Sequence, residues 1–124
     1  MRSVTLDLTT HASTGAASAT SRQVFGKLYA VKYEPGTIAT GATLTLTCVH
    51  SNASSKPLLT KASAGTSVCW FYPLDIPHAV ADGAVLTATA GGDRVQPILD
   101  GAITAAIASG DNSKVGRVVV YYED

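Results

Sequence analysis

The 124-residue chain has the length of one domain, and its nine basic and nine acidic side chains leave no net field. That balance gives no reason to expect nucleic acid or a membrane surface as partner, and no apolar run approaches the roughly 20 residues of a spanning helix. Charged residues make up only 15% of the chain, and Thr, Ser, Ala and Gly take their place. Such a composition suits Thr-rich strands facing solvent, or a surface covered by other protein, because these side chains cost little to desolvate.

The first residues, MRSVTLDLTTHAS, alternate apolar and polar. They lack the continuous apolar stretch of a secretory signal and predict a half-buried strand through Val4, Leu6 and Leu8. The protein is therefore expected to stay in the cytoplasm that makes it, unless a larger assembly carries it out. His11 to Ser21 is small and polar, so residues 1–21 read as a first strand plus a flexible arm. In VFGKLYAVKYEPG, period two places Tyr29, Val31 and Tyr33 on one face, read as core, and Leu28, Ala30 and Lys32 on the other. Pro35-Gly36 ends that strand, since proline has no N–H for the ladder. TIATGATLTLTCVH turns Leu44, Leu46 and Cys48 inwards and Thr43, Thr45 and Thr47 outwards.

Ser51 to Pro57 reads as a loop and LLTKASAGTS as a short strand with a turn at Gly65. SVCWFYP predicts a strand buried on both faces, with Val68, Trp70 and Tyr72 against Cys69 and Phe71. DIPHAVADG has room for one helical turn, and GAVLTATAGGDR for a strand running into a Gly-Gly turn. A last hairpin joins AITAAIAS to RVVVYYE through GDNSKVG. In RVVVYYE, Val118, Val120 and Tyr122 share one face and Val119 and Tyr121 the other. A strand apolar on both faces is either central or half-covered by a partner. Eight or nine short strands with turns about every 8 to 12 residues predict an all-β, antiparallel, jelly-roll-like β-sandwich as a single domain over residues 1–124.

Reactive constellations are scarce. No serine sits in a G-x-S-x-G elbow, and Cys69 with His78 makes a poor pair because SVCWF is too apolar to favour a thiolate. Five of the nine acids flank Gly or Pro, where turns use them; AGGDR lacks the Lys-Ser/Thr and helix of a phosphate loop. Cys48 and Cys69 read as buried thiols, with a disulfide as the alternative. His11, His50 and His78 are not at paired spacings, so neither a metal nor any other cofactor is expected, and the chain points away from an enzyme.

Three segments together carry a family likeness: GKLYAVKYEPGTIATGATLTLTC, GTSVCWFYPLDIPHAVADGA and GGDRVQPILDGAITAAIASGDNSKVGRVVVYYE. Over residues 25 to 123 the chain resembles small virion structural proteins of tailed bacteriophages, whose endings run Pro-Ile/Val, Asp-Gly, strand, Lys-containing turn, then Gly-Arg/Thr-Val-x-Val-Tyr. The resemblance implies a capsid cement or decoration protein, a homo-oligomer that bridges the major capsid protein or another virion protein. A neck or tail ring component of the same particle is the alternative. The interface is expected at Val4, Leu6 and Leu8 of the first strand, at Phe71, and at Tyr121 and Tyr122. A carbohydrate-binding or adhesin module is the alternative from another class. Against it, Trp70, Phe71 and Tyr72 are consecutive, alternate faces, and are not expected to form one aromatic platform.

Overall fold

In the computed structural model, residues 1–50, 55–74 and 96–124 are described. Every regular element among them is a strand: β1 (Arg2–Thr9), β2 (Ala17–Glu34), β3 (Thr43–His50), β4 (Ser55–Lys61), β5 (Cys69–Phe71), β6 (Ile98–Ala108) and β7 (Val115–Glu123). All ladders are antiparallel, in one seven-stranded sheet ordered β1-β7-β2-β6-β3-β4, with β5 also pairing with β2. The all-β antiparallel expectation holds. The segments DIPHAVADG and GAVLTATAGGDR, with His78, lie outside the described residues.

The architecture turns on β2, which is 18 residues long. Its first half, Ala17 to Lys27, pairs with β6, and its second half, Lys27 to Glu34, pairs with β7. Lys27 has partners on both sides, Ile98 and Glu123, and marks the handover. Gly26, just before it, has φ +143°, a region open only to glycine, and a Cβ there would lie 2.1 Å from the Glu123 carbonyl oxygen. The close approach of β7 to β2 thus depends on a missing side chain.

Buried residues from β1, β7 and the second half of β2 (Leu6, Leu8, Val118, Val120, Val31, Tyr33) join those from β6, β3 and β4 (Leu99, Ile103, Ile107, Leu44, Leu46, Cys48, Leu58) in one cluster. The sheet is therefore folded about β2, with two inward sides sharing a core and two outward sides facing away. Each fully buried Val, Leu or Ile contributes roughly 1.5–3 kcal/mol. The ion pairs Arg2–Asp124 (2.7 Å) and Arg117–Asp7 (3.6 Å) are more than half exposed and add little by comparison.

Several expectations change. Residues His11 to Ser21 are not a free arm: the His11 N–H donates to the Ala16 carbonyl (2.8 Å), the Gly110 N–H to the Gly15 carbonyl (2.9 Å), and residues from Ala17 on belong to β2. Ladder pairing with β6 supplies the anchoring that the segment's own small side chains lack. The final hairpin does not form, because β2 stands between β6 and β7 and takes one on each side. A register shift between Leu28 and Ala30 breaks the period-two reading of β2. Val31 and Tyr33 reach the core, Leu28 is also buried, and Tyr29 is 44% exposed. Ser55 to Pro57 belong to β4 rather than to a loop. In β3 the alternation holds, with Leu44, Leu46 and Cys48 all fully buried.

Candidate binding surfaces

The register fixes which side chains share each outward side. On β1, β7, the second half of β2, and β5, one row across the strands reads Ser3, Tyr121, Ala30; the next reads Thr5, Val119, Lys32, Trp70; the third reads Asp7, Arg117, Glu34. Trp70 stacks on Tyr121 with ring centroids 5.4 Å apart and planes inclined by 26°. For rings on β5 and β7 to meet they must cross β2, and Ala30 lies beneath them: it is 1% exposed yet outside the core cluster. The Lys32 ammonium lies 5.5 Å from the Trp70 ring centroid and 3.0 Å from the Glu34 carboxylate. Tyr29 meets Tyr72 edge-on at 6.4 Å. Both remain well exposed, as does Trp70 at 47%.

Phe71 packs against the core while Trp70 is exposed, so the three consecutive aromatics alternate as expected and do not form one platform. Trp70 and Tyr72 instead pair with rings from other strands, and the expectation that Val68, Trp70 and Tyr72 are buried is overturned. Only Cys69–Phe71 forms a strand, so the flanking side chains lie free of a second sheet neighbour among the described residues. Trp70 and Tyr72 are two residues apart, a spacing present in the sequence, although only Trp70 lies within β5. Tyr29 and Tyr121 join them through a bulge and a long-range register that no local pattern reveals. Further along the strands, beyond the Lys32 row and lined by none of the rings, an open cleft of about 560 Å³ is bordered by Asp7, Thr9, Glu34, Gly116 and Arg117. Arg117 reaches both Asp7 (3.6 Å) and Glu34 (3.4 Å) there.

The other outward side, on the first half of β2, β6, β3 and β4, has a different chemistry. Its rows read Ser18, Ala106, Thr45, Thr60; Thr20, Thr104, Thr47, Pro57; and Gln23, Ala102, Val49, Ser55. No charged residue appears in them. The Thr20 and Thr104 hydroxyls on it meet at 3.1 Å.

Of the six expected interface residues, Leu6, Leu8 and Tyr122 are buried in the core. Val4 and Phe71 are partly buried against it, and Tyr121 alone lies on an outward side, in the aromatic cluster. The alternation was right for β1 and β7, but the shared core claims the apolar side. Both cysteines are free thiols, Cys48 buried and Cys69 partly so. Cys69 opposes Tyr33, whose buried hydroxyl has no hydrogen-bond partner among the described residues. Burial, with the Cys69 thiol as a second cause, pushes the Tyr33 phenol above its usual range. No group of three His, Cys, Asp or Glu among the described residues is placed to hold a metal ion, and no helix there is long and apolar enough to cross a membrane.

Compared with known families, curated proteins and solved structures, the chain matches no family model, no curated protein and no solved fold.

Proposed function

We propose that the protein is a non-enzymatic structural component of a tailed-bacteriophage virion, a jelly-roll-like cement or decoration protein that self-associates and bridges major capsid protein subunits. The three uncharged four-strand rows of β2, β6, β3 and β4, which end where Asp100 opposes Phe25 on the same side, carry this reading. Protein interfaces exclude charge from their centres, and Thr and Ala leave water at little cost. At standard strand spacing and rise, that side measures roughly 14 by 24 Å, or about 340 Å². A standard interface buries about 800 Å² per partner, so one such contact is weak. Repetition over a symmetric lattice supplies the missing strength through avidity.

The test uses purified particles and variants with a lysine on that side, Thr45→Lys and Ala106→Lys. Hundreds of copies per particle by quantitative gel support cement, and six or twelve support a neck or tail ring. Neither lysine should lower the melting temperature much, because both positions are only half-buried, yet each should abolish incorporation into heads. Heads lacking the protein should burst at lower temperature. Normal incorporation of both lysine variants would defeat the assignment of this side as the contact.

A further inference from the structure

We infer that the opposite outward side, around Trp70, Tyr121 and Tyr72, is a saccharide-binding site. This inference does not rest on the virion reading, because it concerns the isolated protein and a different surface. A pyranose has two kinds of surface: an apolar C–H face that lies on aromatic rings, and a rim of hydroxyls that both donate and accept hydrogen bonds. The structure juxtaposes the matching halves. The Trp70–Tyr121 pair and the Tyr29–Tyr72 pair form the aromatic half. The row Asp7, Arg117, Glu34, one step along the strands from Lys32 and Trp70, forms the polar half and borders the open cleft.

The same row decides against a protein occupant. A dry protein interface would have to strip water from Asp7 and Arg117, whose side chains are 79% and 55% exposed. A sugar keeps such groups solvated by offering hydroxyls in place of water, and the charges of the row, together with Lys32, cancel, which favours a neutral ligand. Preorganisation adds to this. Trp70 is already held by Tyr121 on one side and by the Lys32 ammonium, itself tied to Glu34. Little rotamer freedom is left to lose on binding. Rings that only filled a gap in a core would not remain 47% (Trp70) and 61% (Tyr72) exposed.

Trp70 is the chain's one tryptophan, so its fluorescence reports on this surface alone. The full-length protein is titrated with the hexaoses of β-1,4-glucose, β-1,4-N-acetylglucosamine and α-1,4-glucose. The expected result is a saturable change in Trp70 emission with at least one sugar, with a dissociation constant between micromolar and millimolar. Tyr121→Ala and Tyr72→Ala should each weaken binding roughly tenfold while melting cooperatively, and Trp70→Ala, followed by calorimetry, should abolish it. Ala106→Lys, on the other side, should bind sugar normally, so loss of capsid incorporation and loss of sugar binding are separable. No change with any of the three sugars up to about 10 mM overturns the inference. So does an emission shift that follows protein concentration without sugar, which would assign the face to a second copy of the chain.

Discussion

Replacing Gly26 by alanine tests the idea that the fold is hinged where β2 passes from β6 to β7. Two costs add at this position. A backbone at φ +143° is disfavoured for any residue with a Cβ, by about 1–3 kcal/mol. The new methyl would also sit 2.1 Å from the Glu123 carbonyl oxygen, more than an ångström inside an ordinary contact, and what must give way is β7 backbone rather than a side-chain tip. Forced overpacking of this kind costs about 1–3 kcal/mol. The sum is about 4 kcal/mol, a large share of the 5–15 kcal/mol that holds a typical domain. Urea denaturation gives the measurement: with a slope of about 2 kcal/mol per molar, the midpoint should fall by about 2 M. Gly65→Ala separates the two terms, since φ there is +87° but nothing lies within 4 Å of the added carbon. It should lose only about 1–2 kcal/mol. Gly41→Ala, with open space and no positive φ, should be neutral or slightly stabilising. If Gly26→Ala proves no worse than Gly65→Ala, the handover does not depend on the close approach of β7.

Other outcomes follow from single side chains. Tyr33→Phe removes a buried hydroxyl with no partner among the described residues, and should leave stability unchanged or raise it by up to about 2 kcal/mol in thermal melts. Because the folded-state pKa of this phenol lies above its unfolded value of 10.0, its contribution is complete below that pH and is lost as the pH climbs through the folded value. Tyr33→Phe should therefore flatten the alkaline limb of the stability profile, and an unchanged limb would remove Tyr33 as its source. Thr10 is buried, accepts from the Lys114 N–H (2.7 Å) and donates to the Lys114 carbonyl (3.3 Å). Thr10→Ala should cost about 1–3 kcal/mol and Thr10→Ser much less, as read from denaturant midpoints. With a thiol-specific chromogenic reagent, the partly buried Cys69 should react in the native protein, and Cys48 only on unfolding. Equal rates would mean that β3 opens readily.

What the sequence revealed follows from how local each signal is. The Leu44/Leu46/Cys48 alternation against threonine needs only the pleat of one strand, and it was legible. So was the character of β7, apolar on both sides because β1 and β2 flank it while one side meets the core and the other meets Trp70. The bulge at Tyr29 was not legible, since the extra residue is set by the register of β7 against β2 rather than by anything in LYAVKY. Nor was the separation of β6 from β7. GDNSKVG has the composition of a hairpin turn, and only the competing ladders to β2 overrule it. The aromatic face combines both difficulties, because its rings come from positions 29, 70, 72 and 121 and meet only when two long-range registers, β5 on β2 and β7 on β2, are in place.

The wiring of β2 has a consequence for the chain as it leaves the ribosome. Among the described strands, β3 and β4 are the only sequence neighbours that pair with each other. β1 waits for residues 115–122, and the second half of β2 for residues 117–123. At usual translation speeds the nascent chain therefore carries β1 without its partner for roughly 5–21 s, while the second half of β2 has only the three residues of β5 to pair with until β7 is made. Folding then awaits synthesis of β7 and has high contact order, and yield in the host should fall with rising temperature well before the folded protein melts.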